Sequence, residues 1–247
     1  MMERVSGAHW IVWRRSSSVK HNEYIFSNTD GRFTFLRQFD DMYRNCDDPH
    51  GQSAELSRTD YQIVTTLLAR TLSEVRRGPG PVRILDAGCG LGYFTAHIKQ
   101  LFPEAAVFGC DISATAVERA RARSAACEFF TADLKDSVTL TQSPFDVLVA
   151  LDVLYYFTND EIAEVVRNLH RLVIDEGFLL VGYHLPATMS FGRYIQSLAD
   201  ASRLFEPNGF KFRLTLDLTN SIDSTYAGEP VGRHIYFLAQ KAVRQGR

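Results

Sequence analysis

Residues 82–95 read Val-Arg-Ile-Leu-Asp-Ala-Gly-Cys-Gly-Leu-Gly-Tyr-Phe-Thr, and this stretch decides the fold of the 247-residue chain. The first four residues favour a buried strand, which Asp86 ends. Gly88, Gly90 and Gly92 then predict a tight turn, and a helix follows. A backbone without Cβ atoms approaches a ligand closely, and the free N–H groups at the start of the helix point towards it. We therefore expect this strand, turn and helix to cradle a ligand.

The kind of ligand depends on the residues around the glycines. A dinucleotide fingerprint, G-x-G-x-x-G, has its third glycine where this chain has Tyr93. The Asp86 carboxylate would repel a pyrophosphate but suits a ligand with positive charge. S-adenosylmethionine (SAM) fits, since it has an ammonium, a sulfonium and a carboxylate group and no phosphate. The glycines alone are also compatible with an ordinary strand-to-helix turn of another α/β protein.

The segment Asp86-Ala-Gly-Cys-Gly-Leu-Gly92 resembles the first motif of the class I SAM-dependent methyltransferases. The resemblance extends over about residues 55–240, where the later motifs follow in the family's order. It implies that SAM is the cofactor and that S-adenosylhomocysteine is the product. The cofactor-binding residues that it implies at the turn are Asp86, Gly88, Cys89 and Gly90.

The composition narrows the class of protein and its partners. Hydrophobic residues make up 45% of the chain, which is ordinary for a globular protein, and the formal net charge is −2. This charge gives no sign of a nucleic-acid partner, and no apolar run approaches the ~20 residues of a membrane span. The four cysteines have no metal or redox spacing. We expect a cytoplasmic protein without a metal or a membrane partner, and with a small-molecule acceptor.

The pattern along the chain predicts an α/β fold. Strand-like runs alternate with helix-like runs from residue 82 to residue 183, which predicts a doubly wound parallel sheet. Residues 210–218 and 231–240 are two further strand-like runs without a helix between them, which suggests an antiparallel pair at the sheet edge. The family resemblance implies the topology, a Rossmann-like seven-stranded sheet with a terminal antiparallel hairpin. The helices predicted within this pattern are 91–101, 114–122, 159–172 and 188–205.

The N-terminal part is predicted to cover the active site. Residues 1–31 are weakly patterned but rich in aromatic residues, which favours an ordered arm, and apolar spacing over 32–45 predicts one helix. Ser57 is a suitable N-cap for a second helix that ends near Arg76. We therefore divide the chain into residues 1–54, an arm and helix over the active site, and residues 55–247, the methyltransferase domain.

Asp111 ends the second strand of the predicted sheet, about twenty residues past the glycine turn. An acidic residue at this place accepts hydrogen bonds from both ribose hydroxyls of a bound cofactor. The alternative role is N-cap of the next helix, a role that Ser113 would fill as well. With Asp111 on the ribose, Ile112 would lie against the adenine.

Two further cofactor residues are implied by the resemblance. The family places an acidic residue at Asp133 to accept from the adenine amino group, with Leu134 against the ring; the alternative for Asp133 is a surface carboxylate. Arg58 is three residues before Tyr61, as an arginine precedes an aromatic residue in related sugar N-methyltransferases. A planar guanidinium suits the SAM carboxylate, although most helix arginines are simply solvated.

The acceptor should bind beyond the fourth predicted strand, because ligands of open α/β sheets bind past the carboxyl ends of the strands. Leu151 to Tyr156 would then border the methyl group, with Leu151 on the cofactor. The run Val-Leu-Tyr-Tyr at 153–156 resembles the matching segment of nodulation-type N-methyltransferases. Tyr155, Tyr156 and Tyr183 would bind the acceptor, or belong to the core, and residues 184–208 would complete the acceptor site.

Methyl transfer to an amine or a hydroxyl benefits from a general base. Asp152 and His184 are the candidates, because both follow predicted strands at the same edge of the sheet. His184 has a side chain whose unperturbed pKa suits proton transfer near neutral pH. The alternatives are a helix cap or structural hydrogen bond for Asp152 and an ordinary loop histidine for His184.

The sequence thus predicts a SAM-dependent methyltransferase that methylates N or O of a small molecule, with amino sugars and secondary metabolites as candidates. An NAD(P)-dependent oxidoreductase would explain the glycines and Asp111, but it explains neither Tyr93 nor the terminal hairpin. A non-catalytic SAM-binding partner subunit is the second alternative. The sequence is compatible with a monomer or a homodimer.

Overall fold

The structure is a computed structural model that describes residues 23–29, 32–56, 59–75, 80–140, 144–185, 194–219 and 233–243. Its N-terminal part begins with a short antiparallel hairpin that is followed by helices. These elements are β1 (Phe26–Thr29), β2 (Arg32–Phe35), α1 (Phe39–Asn45), α2 (Gln52–Glu55) and α3 (Thr59–Glu74).

The single helix predicted over 32–45 is wrong in its first half. Residues 32–35 pair with 26–29 as a strand, and Arg37, at a φ of 56°, separates this strand from α1. Phe35 stacks on Tyr156, which lies 121 residues later in the chain, and the two ring centroids are 6.5 Å apart. A tertiary contact of this kind overrides a local helical pattern. Most of the arm predicted over 1–31 lies outside the described residues.

One seven-stranded sheet forms the centre of the molecule, in the order β5-β4-β3-β6-β7-β9-β8. The first five strands along the chain are parallel, whereas β9 is antiparallel to both β7 and β8. The predicted doubly wound sheet and terminal antiparallel hairpin are therefore confirmed. The strands are β3 (Arg83–Ala87), β4 (Ala106–Asp111), β5 (Glu128–Thr131), β6 (Phe145–Leu151), β7 (Val173–Leu185), β8 (Phe210–Thr219) and β9 (Arg233–Lys241).

Helices cover both faces of the sheet, because the parallel strands are apolar on both sides. One face packs against α6 and α7, and the other packs against α3, α4 and α5. None of the described helices is long and apolar enough to cross a membrane. The helices between and after the strands are α4 (Tyr93–Leu101), α5 (Ala114–Arg123), α6 (Ile162–Leu172) and α7 (Leu198–Phe205).

Most of the predicted boundaries differ from the observed ones by one to four residues. β7 begins at Val173, four residues before the predicted start, directly after α6. Of the helix predicted over 188–205, only 198–205 is described as helix, and residues 186–193 lie outside the described residues. The carboxyl ends of the parallel neighbours β4, β3 and β6 lie at one edge of the sheet, where the glycine turn follows β3.

Candidate active site

The glycine turn connects β3 to α4 in a backbone conformation that requires glycine. Gly88 and Gly90 have φ values of 79° and 52°. A Cβ atom at Gly88 would lie 2.6 Å from Cγ2 of Val153, and one at Gly90 would lie 2.5 Å from Oε1 of Gln52. The N–H groups of Gly88 and Cys89 donate to the Cys110 carbonyl oxygen, which fixes the turn on β4.

Asp86 lies beneath this turn and is almost fully buried. Its Oδ2 accepts a hydrogen bond from the Thr95 hydroxyl at 2.6 Å. Burial is the main reason that the carboxyl pKa of Asp86 is raised to about 7; the Thr95 bond opposes this rise, and the nearby charge of Asp111 adds to it. A cation bound next to Asp86 would favour the ionised form of the carboxylate. The positively charged ligand inferred from the sequence would therefore keep Asp86 ionised.

Asp111 connects the turn to the start of α5. Its Oδ2 accepts from the Gly90 N–H at 2.9 Å, and its Oδ1 accepts from the Ser113 N–H at 2.9 Å. Burial raises the Asp111 carboxyl pKa, which these N–H donors counteract. The N-cap of α5 is Ser113, whose Oγ accepts from the Ala116 N–H, so capping does not explain Asp111. Ile112 beside it is 41% exposed, an apolar surface left open next to a buried acid.

The other residues predicted to bind the adenine differ in their surroundings. Asp133 is half-buried, and its Oδ1 accepts from the Lys135 N–H at 3.0 Å. Leu134 is buried in the core, and its carbonyl accepts from the Asn168 amide at 2.8 Å, so Ile112 offers more open apolar surface than Leu134 does. Arg58 lies outside the described residues.

The N-terminal helices cover the turn, and this contact was not predicted at the level of residues. Gln52 Oε1 accepts from the Leu91 N–H at 2.8 Å and so occupies one of the backbone donors of the glycine turn. Asp40 Oδ1 accepts from the Ser113 hydroxyl and the Thr115 N–H. Both residues belong to short helices, and no sequence signal separates them from surface residues.

A cavity of about 20 Å³ remains beneath this cover, enough for about one water molecule. The residues that line the cavity are Gln52, Leu56, Tyr61, Asp86, Gly88, Cys89, Phe94 and Leu151.

Asp152 and His184, the predicted proton-handling groups, come together at the carboxyl edge of the sheet. Asp152 has a φ of 51°, and its Oδ1 accepts from the His184 backbone N–H at 3.0 Å. The His184 Nδ1 lies 2.9 Å from Nε2 of His234, which is 2% exposed. Sequence reasoning missed His234, because its neighbours are known only once β9 is placed beside β7.

The three predicted tyrosines have different surroundings. Tyr155 and Tyr156 form a short 3-10 turn after β6 and are half-buried. Tyr183 is fully buried and packs edge-on against Tyr155 and Tyr194. Tyr183 therefore lies in the core behind Tyr155. Among the described residues, no group of three or more His, Cys, Asp or Glu side chains is arranged to hold a metal ion.

Residues 84–177 match a family model described as a methyltransferase domain. The malonyl-[acyl-carrier protein] O-methyltransferase of Legionella pneumophila is 30% identical over 103 residues, 40% of this chain and 35% of that protein. The tRNA N(3)-cytidine methyltransferase METTL2 of Bos taurus is 32% identical over 121 residues, 45% of this chain and 30% of that protein. The chain spans about a third of the length of these curated relatives.

Two solved structures share the fold. Magnesium protoporphyrin IX methyltransferase (ChlM) from Synechocystis PCC 6803 with bound SAM has a TM-score of 0.55 at 20% identity and covers 92% of each chain. The N-methyltransferase NodS from Bradyrhizobium japonicum WM9 has a TM-score of 0.56 at 19% identity and covers 74% of this chain and 97% of NodS. Residues 84–177 thus match a methyltransferase domain, and the fold of the chain is the one that these two methyltransferase structures have.

Proposed function

We propose that this chain binds SAM at the glycine turn and transfers the methyl group to a nitrogen or oxygen atom of a small-molecule acceptor. The observation that supports this most is Asp111, a buried carboxylate whose two oxygens connect the turn to α5 beside the exposed Ile112. A buried acid costs free energy unless it is paired or used. Each Asp111 oxygen can accept a further hydrogen bond besides its backbone donor, and Ile112 is open to solvent, so a ribose with two adjacent hydroxyls next to an adenine would suit this pair.

Further cofactor contacts follow from placing the ribose of SAM on Asp111 and its adenine on Ile112. The ionised Asp86 carboxylate would face the positive charge of SAM, and the turn at Gly88, Cys89 and Gly90 would bring backbone atoms against it. Asp133 would accept from the adenine amino group, with Leu134 beneath it in the core. Leu151 would lie on the acceptor side of the cofactor, and Arg58 would bind its carboxylate.

The reaction then requires a donor and an acceptor held in line. Alignment of this kind is worth about 7–11 kcal/mol in well-oriented systems, so positioning supplies much of the effect. Tyr155 and Tyr156 would face the acceptor, with the buried Tyr183 supporting Tyr155 from behind. His184 would receive the acceptor proton, and Asp152 would stabilise the charge that develops on it.

A small molecule is the acceptor class that the charge of the chain favours. The formal net charge is −2, whereas nucleic-acid binders need a surplus of basic side chains. The names of the relatives give different acceptors: malonyl-[acyl-carrier protein], a tRNA cytidine and magnesium protoporphyrin IX. An acceptor screen should therefore include amino sugars, phenols, dicarboxylic acids and bulk tRNA.

The test is release of S-adenosylhomocysteine from SAM in this screen, with wild type and two alanine variants. Asp111→Ala should weaken SAM binding about tenfold or more, since bonds to a charged acceptor are worth ~1.5–3 kcal/mol each. Asp146→Ala is the matched control, because Asp146 also accepts a backbone N–H, that of Arg83, at the opposite edge of the sheet. Equal SAM affinity in wild type and Asp111→Ala would overturn the ribose assignment. SAM binding without release of product, for any acceptor class, would favour the partner subunit.

A further inference from the structure

The side chain of Gln52, at the start of α2, lies on the glycine turn and contacts it with both ends of its amide group. The Oε1 accepts from the Leu91 N–H at 2.8 Å, and the Nε2 donates to the Cys89 carbonyl oxygen at 3.5 Å. The Leu91 N–H can only donate, so the amide atom that faces it is the oxygen. The Nε2 has two N–H groups, and its contacts with the described residues use one of them.

Gly90 is the residue that lets this amide approach the turn. A Cβ atom at Gly90 would lie 2.5 Å from Oε1 and 2.6 Å from Nε2 of Gln52. The N–H group of Gly90 donates to Asp111 Oδ2 at 2.9 Å. The Gln52 amide and the carboxylate proposed to bind the ribose therefore contact the same residue of the turn.

The backbone donors of the turn are already used. Each N–H group from Gly88 to Gly92 donates a hydrogen bond within the chain. The acceptors are the carbonyl oxygens of Cys110 and Cys89 and the side chains of Asp111 and Gln52. A side-chain donor is therefore the more direct partner for an anionic group of a ligand at this turn.

Gln52 and Asp86 line the same cavity, and no lysine, arginine or histidine is among the described residues that line it. Resting on the proposed function, we propose that Gln52 is a further cofactor-binding residue, whose Nε2 donates to the carboxylate at the amino-acid end of SAM. The ammonium group on the same carbon atom would face Asp86. An ammonium group is about the size of the one water molecule that this cavity holds, so it would enter the cavity and leave the carboxylate at the Gln52 amide.

Two other donors are compatible with this arrangement or compete with it. A carboxylate accepts several hydrogen bonds, so Arg58 and Gln52 can bind the same group. The hydroxyl of Tyr61 competes, because Tyr61 also lines the cavity. Its ring packs edge-on against Phe94, with centroids 5.4 Å apart.

Calorimetric titration with SAM and with decarboxylated SAM at pH 8 tests the proposal. The ligands differ only in the carboxylate, so the ratio of their dissociation constants measures recognition of this group, and general damage to the site affects both constants alike. We expect wild type to prefer SAM. In Gln52→Glu the Leu91 N–H keeps its acceptor, but a negative charge replaces the donor. The preference for SAM should therefore fall about tenfold or more.

Gln100→Glu is the matched control, because it makes the same change of charge at an exposed position in the last turn of α4. Its preference for SAM should equal that of wild type. An equal preference in wild type and Gln52→Glu would overturn the proposal and favour Tyr61 as the donor. An equal fall in Gln52→Glu and Gln100→Glu would overturn it as well, since the effect would then not depend on the place of the charge.

NMR of the ¹⁵N-labelled wild type gives a second test that needs no variant to fold. The side-chain N–H signals of Gln52 should move further with SAM than with decarboxylated SAM, and equal movement would overturn the proposal. The proposed function fails in a different way. Wild type that binds neither ligand contradicts the cofactor assignment, whereas wild type that binds both with equal affinity contradicts only recognition of the carboxylate.

Discussion

The proposed cofactor side of the site (83–123) and the proposed acceptor side (151–156, 182–184 and 233–236) are built in different ways. Between residues within 83–123, hydrogen bonds join positions close in the chain, such as Thr95 to Asp86 over 9 positions and Gly90 to Asp111 over 21. The N-terminal helices add longer-range bonds, such as that of Gln52 to Leu91 over 39 positions. On the acceptor side, Asp152 bonds to His184 over 32 positions and His184 to His234 over 50. We expect substitutions on the proposed cofactor side to change the affinity for SAM. We expect substitutions on the proposed acceptor side to change the orientation of the acceptor.

The largest effect should come from Gly88→Ala. A Cβ atom there would lie 2.6 Å from Val153, and the φ of 79° disfavours alanine. We expect SAM affinity to fall about 100-fold or more, close to 3 kcal/mol, in a calorimetric titration. Gly80→Ala is the matched control, because Gly80 also has a positive φ, 152°, but open space around it and lies before β3. An equal loss of affinity in the control would contradict the local account of the turn.

Asp86→Asn should weaken SAM binding about tenfold at pH 8, where the carboxylate is ionised, while it preserves the bond from Thr95. The wild type should also release up to about one proton as SAM binds near pH 6, because a cationic ligand lowers the raised pKa of Asp86. Titration in two buffers of different ionisation enthalpy measures this release. Equal proton release in wild type and Asp86→Asn would show that SAM does not act on Asp86.

The same substitution should stabilise the protein without ligand. The folded pKa of Asp86, about 7, is above its unfolded value of 3.8, so the folded state holds this proton more tightly and ionisation costs stability. The advantage of asparagine should therefore grow between about pH 4 and pH 7 and stay level above it. Thermal unfolding across this range checks the sign, and a variant less stable than wild type at pH 8 would contradict it.

A smaller effect should follow from Arg119→Met, which tests how the N-terminal helix α1 is held against α5 beside the glycine turn. Arg119 donates to the carbonyl oxygens of Tyr43, Cys46 and Asp47 and so fixes the end of α1 on α5. We expect hydrogen exchange in α1 to accelerate about tenfold, as loss of about 1–1.5 kcal/mol implies. Arg121→Met is the control, because Arg121 donates to Phe129 within the α5–β5 unit. An unchanged rate of hydrogen exchange in α1 would show that contacts other than those of Arg119 hold this helix in place.

The smallest effect should come from Ile112→Ala. The side chain is 41% exposed, so stability should change by less than about 0.5 kcal/mol. SAM affinity should fall about fivefold, near 1 kcal/mol, if the side chain packs on the adenine. Leu214→Ala, also partly exposed but on the edge strand β8, should leave SAM affinity unchanged. Equal affinity for wild type and Ile112→Ala would remove Ile112 from the cofactor site.

The conformation of the glycine turn and the place of Asp111 could be predicted from the sequence because local geometry determines them. Glycines with positive φ at 88 and 90 and an acid at the end of the next strand are visible in a window of about thirty residues. The role of Ser113 as N-cap was also local, and the structure confirms it. The sheet order beyond these elements required the family resemblance.

The remaining parts could not be predicted because their partners are distant in the chain. The strand 32–35 has apolar spacing that fits a helix equally well, and its contact with Tyr156 decides between the two. Tyr183 and Tyr155 look alike in the sequence, and only alternation along β7 puts Tyr183 in the core. His234 and Gln52 have no local signal, since the register of β9 and the docking of α2 bring them to the site.

Calorimetric titration of the wild-type protein with SAM and, separately, with NADH tests the central claim most directly. The account predicts binding of SAM in the micromolar range and no binding of NADH, since Asp86 repels a pyrophosphate and Tyr93 replaces the third glycine of a dinucleotide site. Binding of NADH without binding of SAM would contradict the assignment of the glycine turn and of Asp111.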